Sequence, residues 1–263
     1  MGMNPQNAFS RICSPLFLDK ETQATWALSE PGDILIKAVP GPGEQAESLA
    51  PIHMELADEV ATVTRKGGQP FCVVGDCCQV IPVMAGLERG GIRPTLIWLD
   101  SHGDFNTWET TPSGFLGGMP LAMLTGRGDQ RLMQAVGLEP IMDRRVVLAD
   151  GRDLDPGERI LVEKSRIRFV PTVDALDATA LPDSPLYVHF DADIIDASEA
   201  PGFLYPVKGG PSADRMRTVI DSLLKTGRVV AFSVCASWDS TKDPDGKTLA
   251  AVQKALEPFR PQT

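Results

Sequence analysis

The 263-residue chain lacks the marks of membrane, nucleic-acid-binding and disulfide-stapled proteins. No apolar run approaches the roughly 20 residues that a membrane-spanning helix needs. Residues Met1 to Leu18 mix polar side chains and proline, without a basic start or a continuous apolar stretch, so they do not read as a secretory signal. Basic residues are dispersed, with Arg144-Arg145 the densest pair, and 25 Lys and Arg stand against 35 Asp and Glu, a net charge of −10. That balance argues against nucleic acid or an anionic membrane as a partner and leaves a small molecule. The five cysteines, at 13, 72, 77, 78 and 235, are odd in number and scattered, which makes no disulfide framework. No linker, repeat or low-complexity tract divides the chain. One cytoplasmic, globular domain over residues 1–263 is therefore expected.

What is present is ordinary globular composition, 43% hydrophobic and 23% charged, enough to bury a sizeable core. Short apolar runs rich in β-branched residues predict strands at Ile34–Val39, Phe71–Gly75, Thr95–Asp100, Arg145–Ala149, Ile167–Val170, Leu186–Asp191 and Val229–Val234. Helical patterns fill Gln45–Arg65, Gln79–Arg89, Pro120–Thr125, Gly157–Lys164, Ser212–Thr226 and Gly246–Leu256. Alternation of the two predicts an α/β fold, a mostly parallel, doubly wound sheet covered by helices on both faces. In such sheets ligands bind beyond the carboxyl ends of the strands.

Three of those ends carry metal-ligand residue types. One strand runs into Asp100-Ser-His102-Gly-Asp104, another into Asp191-Ala-Asp193 with Asp196 soon after, and a third into Asp76-Cys77-Cys78. Alternation along a strand would put Asp100, His102 and Asp104 on one side, and likewise Asp191 and Asp193. A lone Asp at a strand end is usually a cap or turn residue. Two acidic clusters at two strand ends are better explained by a pair of divalent cations that neutralise them.

These residues resemble the ureohydrolases, the family of arginases, agmatinases and formimidoylglutamases. The family's Asp-Ala-His-x-Asp is similar to Asp100-Ser-His-Gly-Asp104, and its Ser-Phe-Asp-x-Asp-x-x-Asp to His189-Phe-Asp-Ala-Asp-Ile-Ile-Asp196. Gly151-Arg-Asp-Leu-Asp-Pro-Gly-Glu158, Ser113-Gly-Phe-Leu-Gly-Gly-Met-Pro120 and Gly246-Lys-Thr-Leu-Ala250 match further family segments in order. The resemblance implies a three-layer α/β/α domain with two divalent metals, manganese being favoured by a carboxylate-rich shell. It implies Asp100 and Asp191 as bridging ligands, Cys77 and Asp104 on one metal, His102 and Asp193 on the other. A bridging hydroxide held by Asp104 would attack a guanidinium or amidine carbon. Asp155 would contact a substrate's α-amino group, and Asn106 and Ser113 would lie near its α-carboxylate. A trimer or hexamer is implied as well.

The sequence departs from the family at the chemistry. Cys77 stands where the first ligand is His, and a thiolate shifts preference toward zinc or iron. Gly117 stands where arginases carry a proton-shuttling His, and Phe115 replaces an Asn. The carboxylate that grips the guanidinium falls near Ser233, with Asp239 or Glu109 as candidate replacements. His189 reads as a packed residue beneath the metals, His53 as structural and Cys78 as packing. The expected function is hydrolysis of a small guanidino, N-hydroxyguanidino or amidine compound, with arginine a poor substrate. Hydrolysis of another linear C–N bond and a catalytically silent, metal-binding role stay open as alternatives.

Overall fold

A computed structural model describes residues 9–176 and 180–260. Its central sheet has eight parallel strands: β1 (Ser10–Ser14), β2 (Ile34–Leu35), β3 (Pro70–Val74), β4 (Thr95–Asp100), β5 (Val146–Asp150), β6 (Arg168–Val170), β7 (Leu186–Asp191) and β8 (Val229–Cys235). Their spatial order is β2-β1-β3-β8-β7-β4-β5-β6, and every pairing is parallel.

Strand alternation sorts the core into two halves. Cys72, Val74, Leu96, Trp98 and Leu148 face one layer. Phe71, Val73, Ile97, Leu99, Val188 and Phe232 face the other. The first layer includes α1 (Ala50–Arg65) and α2 (Val80–Arg89), and the second α4 (Ala213–Lys225) and α5 (Lys247–Ala255); α3 (Pro156–Lys164) follows β5. Each fully buried large apolar side chain contributes about 1.5–3 kcal/mol relative to exposure. The expected three-layer α/β architecture is therefore present.

The differences from expectation have physical reasons. The predicted strand Ile34–Val39 pairs only over Ile34–Leu35. The predicted helix Gln45–Arg65 is split into Gln45–Ser48 and α1, because Pro51 has no N–H to give Glu47 and its ring opposes that carbonyl. Strand β1 escaped prediction because Ser10-Arg-Ile-Cys-Ser14 is mostly polar. The sheet nevertheless accepts it, since Arg11 reaches out to Asp33 at 2.8 Å and the Leu28 carbonyl at 2.7 Å. Strand β8 extends one residue past the predicted Val234, to Cys235.

Helices α1 and α2 cross closely at Gly86. A Cβ there would lie 2.6 Å from both the Ala57 carbonyl oxygen and Val60 Cβ. Gly86→Ala gains about 1 kcal/mol of helix propensity but forces the helices apart, an overpacking cost of about 1–3 kcal/mol. Urea unfolding should show a net loss of stability; a gain would refute this account of the contact.

Candidate metal centre

Strands β3, β8, β7 and β4 lie side by side, and their carboxyl ends meet in one cluster. Cys235 is level with Asp191 in the β8–β7 register, and Asp100 with Asp150 across β4–β5. Chain beyond each strand then folds back over that edge.

After β4 the chain leaves the sheet at Asp100, so His102 and Asp104 converge by a turn and not by strand alternation. Asp100 is fixed by two donors, Trp98 Nε1 at 2.9 Å and the His102 amide at 2.7 Å. Gly103 admits no side chain, since a Cβ would sit 2.4 Å from Leu154 and 2.6 Å from Glu158. Asp104 adopts the left-handed region at φ 48°, held by the Leu121 amide on its carbonyl at 2.9 Å. The buried Glu158 accepts from the Phe105 amide at 2.7 Å and ties this turn to α3. Asp193 likewise lies past its strand, in the turn Ala192–Ile194, where its amide donates to Asp191 Oδ1 at 3.1 Å and its carboxylate accepts from Ser101 Oγ at 2.9 Å.

Cys77 is placed by the turn after β3. Gly75 packs so closely on the Leu16 carbonyl that a Cβ would lie 2.2 Å from its oxygen. Asp76 accepts from the Leu18 amide at 2.7 Å and the Cys78 amide at 2.8 Å. The Cys77 thiol then donates to Asp191 Oδ2 at 2.8 Å, with His189 Nε2 3.4 Å away. His189 is buried, contacts Ser233 Oγ at 2.9 Å through Nδ1 and stacks near Trp98. Cys78 turns away toward the Leu116 carbonyl.

Three overlapping groups have ligand atoms within 4.8 Å of one another: Asp100, His102 and Asp193; Cys77, Asp100 and Asp104; and Cys77, Asp191 and Cys235. His102 is the most exposed of them, at 25% for its side chain; the others are buried. Burial first, then neighbouring carboxylates, raises the pKa of Asp104 and Asp191; burial also raises that of Asp193. Burial disfavours charge on His102, but Asp193 and Asp100 overcome it and raise its pKa. Such a group of acids is electrostatically incomplete without cations, and oxygen, imidazole and thiol donors suit a divalent pair.

The remaining candidates divide. Asn106 and Asp155 come together, the amide donating to the carboxylate at 2.9 Å, with Asp155 heading α3. Ser113 sits on an exposed loop and accepts from the Phe115 amide. Asp196 holds the amides of Gly209 and Gly210. Glu109 and Asp239 are each occupied by a threonine hydroxyl in their own turns, and neither belongs to the three groups. Ser233 is buried in β8 against Tyr187 and His189, so Cys235 is the residue of that strand that reaches the cluster. Applying the strand-end rule one residue further along would have found it. Gly117 and Phe115 form a steric pair: a Cβ on Gly117 would lie 2.4 Å from the Phe115 ring. That ring joins Phe17 at 6.0 Å and Tyr205 at 5.4 Å, and Tyr205 stands edge-on to His102 at 6.4 Å.

Residues 9–257 match the sequence profile of the arginase family. The chain belongs to the arginase family. It is 34% identical over 245 residues to an arginase of Bacillus caldovelox, covering 86% of this chain and 81% of that protein. It is 33% identical over 172 residues to N(omega)-hydroxy-L-arginine amidinohydrolase of Streptomyces lavendulae, covering 63% of this chain and 60% of that one. The crystal structure of an arginase from Bacillus subtilis superimposes with a TM-score of 0.81 and 26% identity, covering 98% and 99% of the two chains. The arginase-family assignment agrees with the order of motifs in the sequence.

Because the folded pKa values of Asp104, Asp191, Asp193 and His102 are raised, the metal-free protein holds protons that the unfolded chain releases, so its stability falls as pH rises. Asp104→Asn imitates the protonated acid. In chelator it should be more stable than the parent at pH 8, with the gain shrinking as pH falls and vanishing near the ordinary Asp value of about 4. A pH-independent difference in urea unfolding would refute this.

Proposed function

We propose that the chain is a binuclear metal-dependent hydrolase acting on a small guanidino-type compound, carried by one domain. The observation that carries the reading is the overlap of the donor groups through Asp100 and Cys77, which suits two neighbouring ions. Asp100, Asp191, Cys77 and Asp104 would hold one ion, and Asp100, Asp191, His102 and Asp193 the other. Two divalent ions, when bound, lower the pKa of shared water enough to supply hydroxide near neutral pH. Asp104 would in addition accept a hydrogen bond from the attacking hydroxide and orient it. Trp98, Ser101 and the His102 amide hold the carboxylates in place by the hydrogen bonds described above.

At the substrate end, the paired Asn106 and Asp155, with Ser113 on the neighbouring loop, form an amino-acid-binding face. Asp155 takes the α-amino group. The opposite wall is aromatic, from Phe17 through Phe115 to Tyr205. Gly117 offers no side chain to relay a proton, and Cys235 offers a thiol where a carboxylate would grip a guanidinium. An N-hydroxyguanidine suits this site better than arginine, because its hydroxyl lowers the guanidine pKa and weakens the need for that grip. The Streptomyces relative whose name specifies N(omega)-hydroxy-L-arginine supports the same substrate class. Manganese suits the carboxylate-rich donors of both positions, with zinc or iron favoured by the Cys77 sulfur. The five free, buried cysteines suit a reducing, cytoplasmic setting, and the homo-oligomer suggested by resemblance is a trimer or hexamer.

The deciding experiment measures metal content after reconstitution and kcat/KM for arginine, N-hydroxyarginine, agmatine and 4-guanidinobutyrate. About two ions per chain and a preference for N-hydroxyarginine are expected. Arginine turnover matching a good arginase would overturn the substrate reading, and a reconstituted protein holding no metal would overturn the mechanism. Asp191→Ala should lose both ions.

The steric pair at 115 and 117 makes a second expectation. Gly117→His alone collides with Phe115, so it should destabilise the protein without improving arginine hydrolysis. Phe115→Asn with Gly117→His makes room for the imidazole and should raise arginine kcat/KM toward the ~10²-fold that a positioned general acid supplies. Equal activity of the single and double variants would contradict the coupling.

A further inference from the structure

Of the five buried cysteines, two converge on the carboxylate cluster from different strands. Cys77 arrives from the turn after β3, and Cys235 is the last residue of β8. Their sulfurs and a carboxylate oxygen of Asp191 lie within 4.8 Å of one another. Cys235 is 3% exposed and Cys77 6% exposed. The other thiols point elsewhere: Cys78 toward the Leu116 carbonyl, Cys72 into the α1–α2 layer and Cys13 into the opposite one.

We propose that Cys77 and Cys235, with Asp191, make one of the two metal positions a dithiolate site that selects a thiophilic divalent ion of the zinc class, leaving the Asp100, His102 and Asp193 position to a harder ion. This rests on the binuclear reading above and deepens it: the centre is chemically asymmetric and holds two different metals. Cys235 takes the place assigned above to Asp104 at this ion, so two sulfurs join the shared Asp100 and Asp191 carboxylates in a sulfur-rich donor set of the kind zinc takes, and Asp104 is left to orient the nucleophile. Thiolate donors favour zinc over manganese strongly, whereas carboxylates and water suit manganese. Each thiol loses its proton to solvent as the ion binds, so the two sulfurs contribute two protons to those released on uptake. The second position has no sulfur: its ligand atoms are two carboxylates and an imidazole.

The assignment also gives Cys235 a role consistent with its burial. As a bound thiolate it adds negative charge directly to the metal position, and it removes the place where a guanidinium-gripping carboxylate would stand. His189 Nε2, 3.4 Å from the Cys77 sulfur, supplies a polar neighbour to that thiolate from below.

The test uses the full-length protein, stripped with chelator under reductant and titrated with Co²⁺, then with Zn²⁺ and Mn²⁺. One equivalent of Co²⁺ should give an intense near-ultraviolet thiolate-to-cobalt band, and one equivalent of Zn²⁺ should abolish it while Mn²⁺ does not. Cys77→Ser and Cys235→Ser should each weaken the band, and the double variant should lose it. Zinc affinity in the double variant should drop by at least the ~10–100-fold that loss of even an outer-shell partner causes. Electron paramagnetic resonance should still count one bound Mn²⁺ in the double variant, which also shows that it has folded. Cys78→Ser should leave the band unchanged. A Co²⁺ complex without a thiolate band, or a band that survives Cys235→Ser at full intensity, overturns the proposal. So does an intact mass lower by two hydrogens, with Cys77 and Cys235 unreactive after denaturation, since that is a disulfide. Hydrolysis supported by two Mn²⁺ with no thiolate band would overturn this proposal and leave the functional reading standing. A thiolate band on a protein that turns over nothing would uphold it and refute hydrolysis.

Discussion

Four aspartates crowded into a low-dielectric edge set the terms for everything around them. Asp100, Asp104, Asp191 and Asp193 are all buried, and their charges lose more on leaving water than mutual arrangement can return. The surrounding structure is organised to hold them there regardless. Donors from Trp98, Ser101 and several backbone amides are aimed at their oxygens, and the left-handed turn at Asp104 brings the fourth carboxylate back over the sheet. A fold that tolerates this arrangement does so for the sake of what the acids hold, since apolar residues of similar volume would be more stable.

Much of the architecture was legible in the sequence because parallel strands buried on both faces write themselves as apolar, β-branched runs. Leu186–Asp191 and Thr95–Asp100 were read to the residue for that reason. Strand β1 was not, because its two serines and Arg11 obscure Ile12, and the partner of Arg11 becomes apparent only when the Asp33 loop folds beside it. The clustered acids of the site were found by type and position. The reason given for their convergence was incomplete, since His102, Asp104 and Asp193 arrive on turns whose geometry depends on Gly103 and on contacts with α3. Cys235 was missed by a single residue at a strand boundary, the least predictable feature of any element. Asp239 and Glu109 looked available in sequence and are engaged locally, a competition that short-range hydrogen bonding usually wins.

The family resemblance and the departures from it describe different layers of the molecule. The scaffold, the order of motifs and most of the acidic donors follow the arginases. The departures are Cys77, Gly117, Phe115 and the end of β8. A fold can keep its scaffold while the residues at its strand ends and loop tips change, because the two are structurally separable.

The short hairpin of Leu16–Phe17 and Lys20–Glu21 makes that separation incomplete. Its Leu16 carbonyl rests on Gly75, its Leu18 amide grips Asp76, and Leu18 accepts a left-handed backbone at φ 52° to do so. The adjoining Phe17 stacks on Phe115 at 6.0 Å. One short hairpin therefore touches the aromatic row on one side and braces the Cys77 turn on the other. Any shift of the aromatic row that moves Phe17 pulls on the same three residues, 16 to 18, that hold Gly75 and Asp76, so the row and the Cys77 turn are mechanically linked.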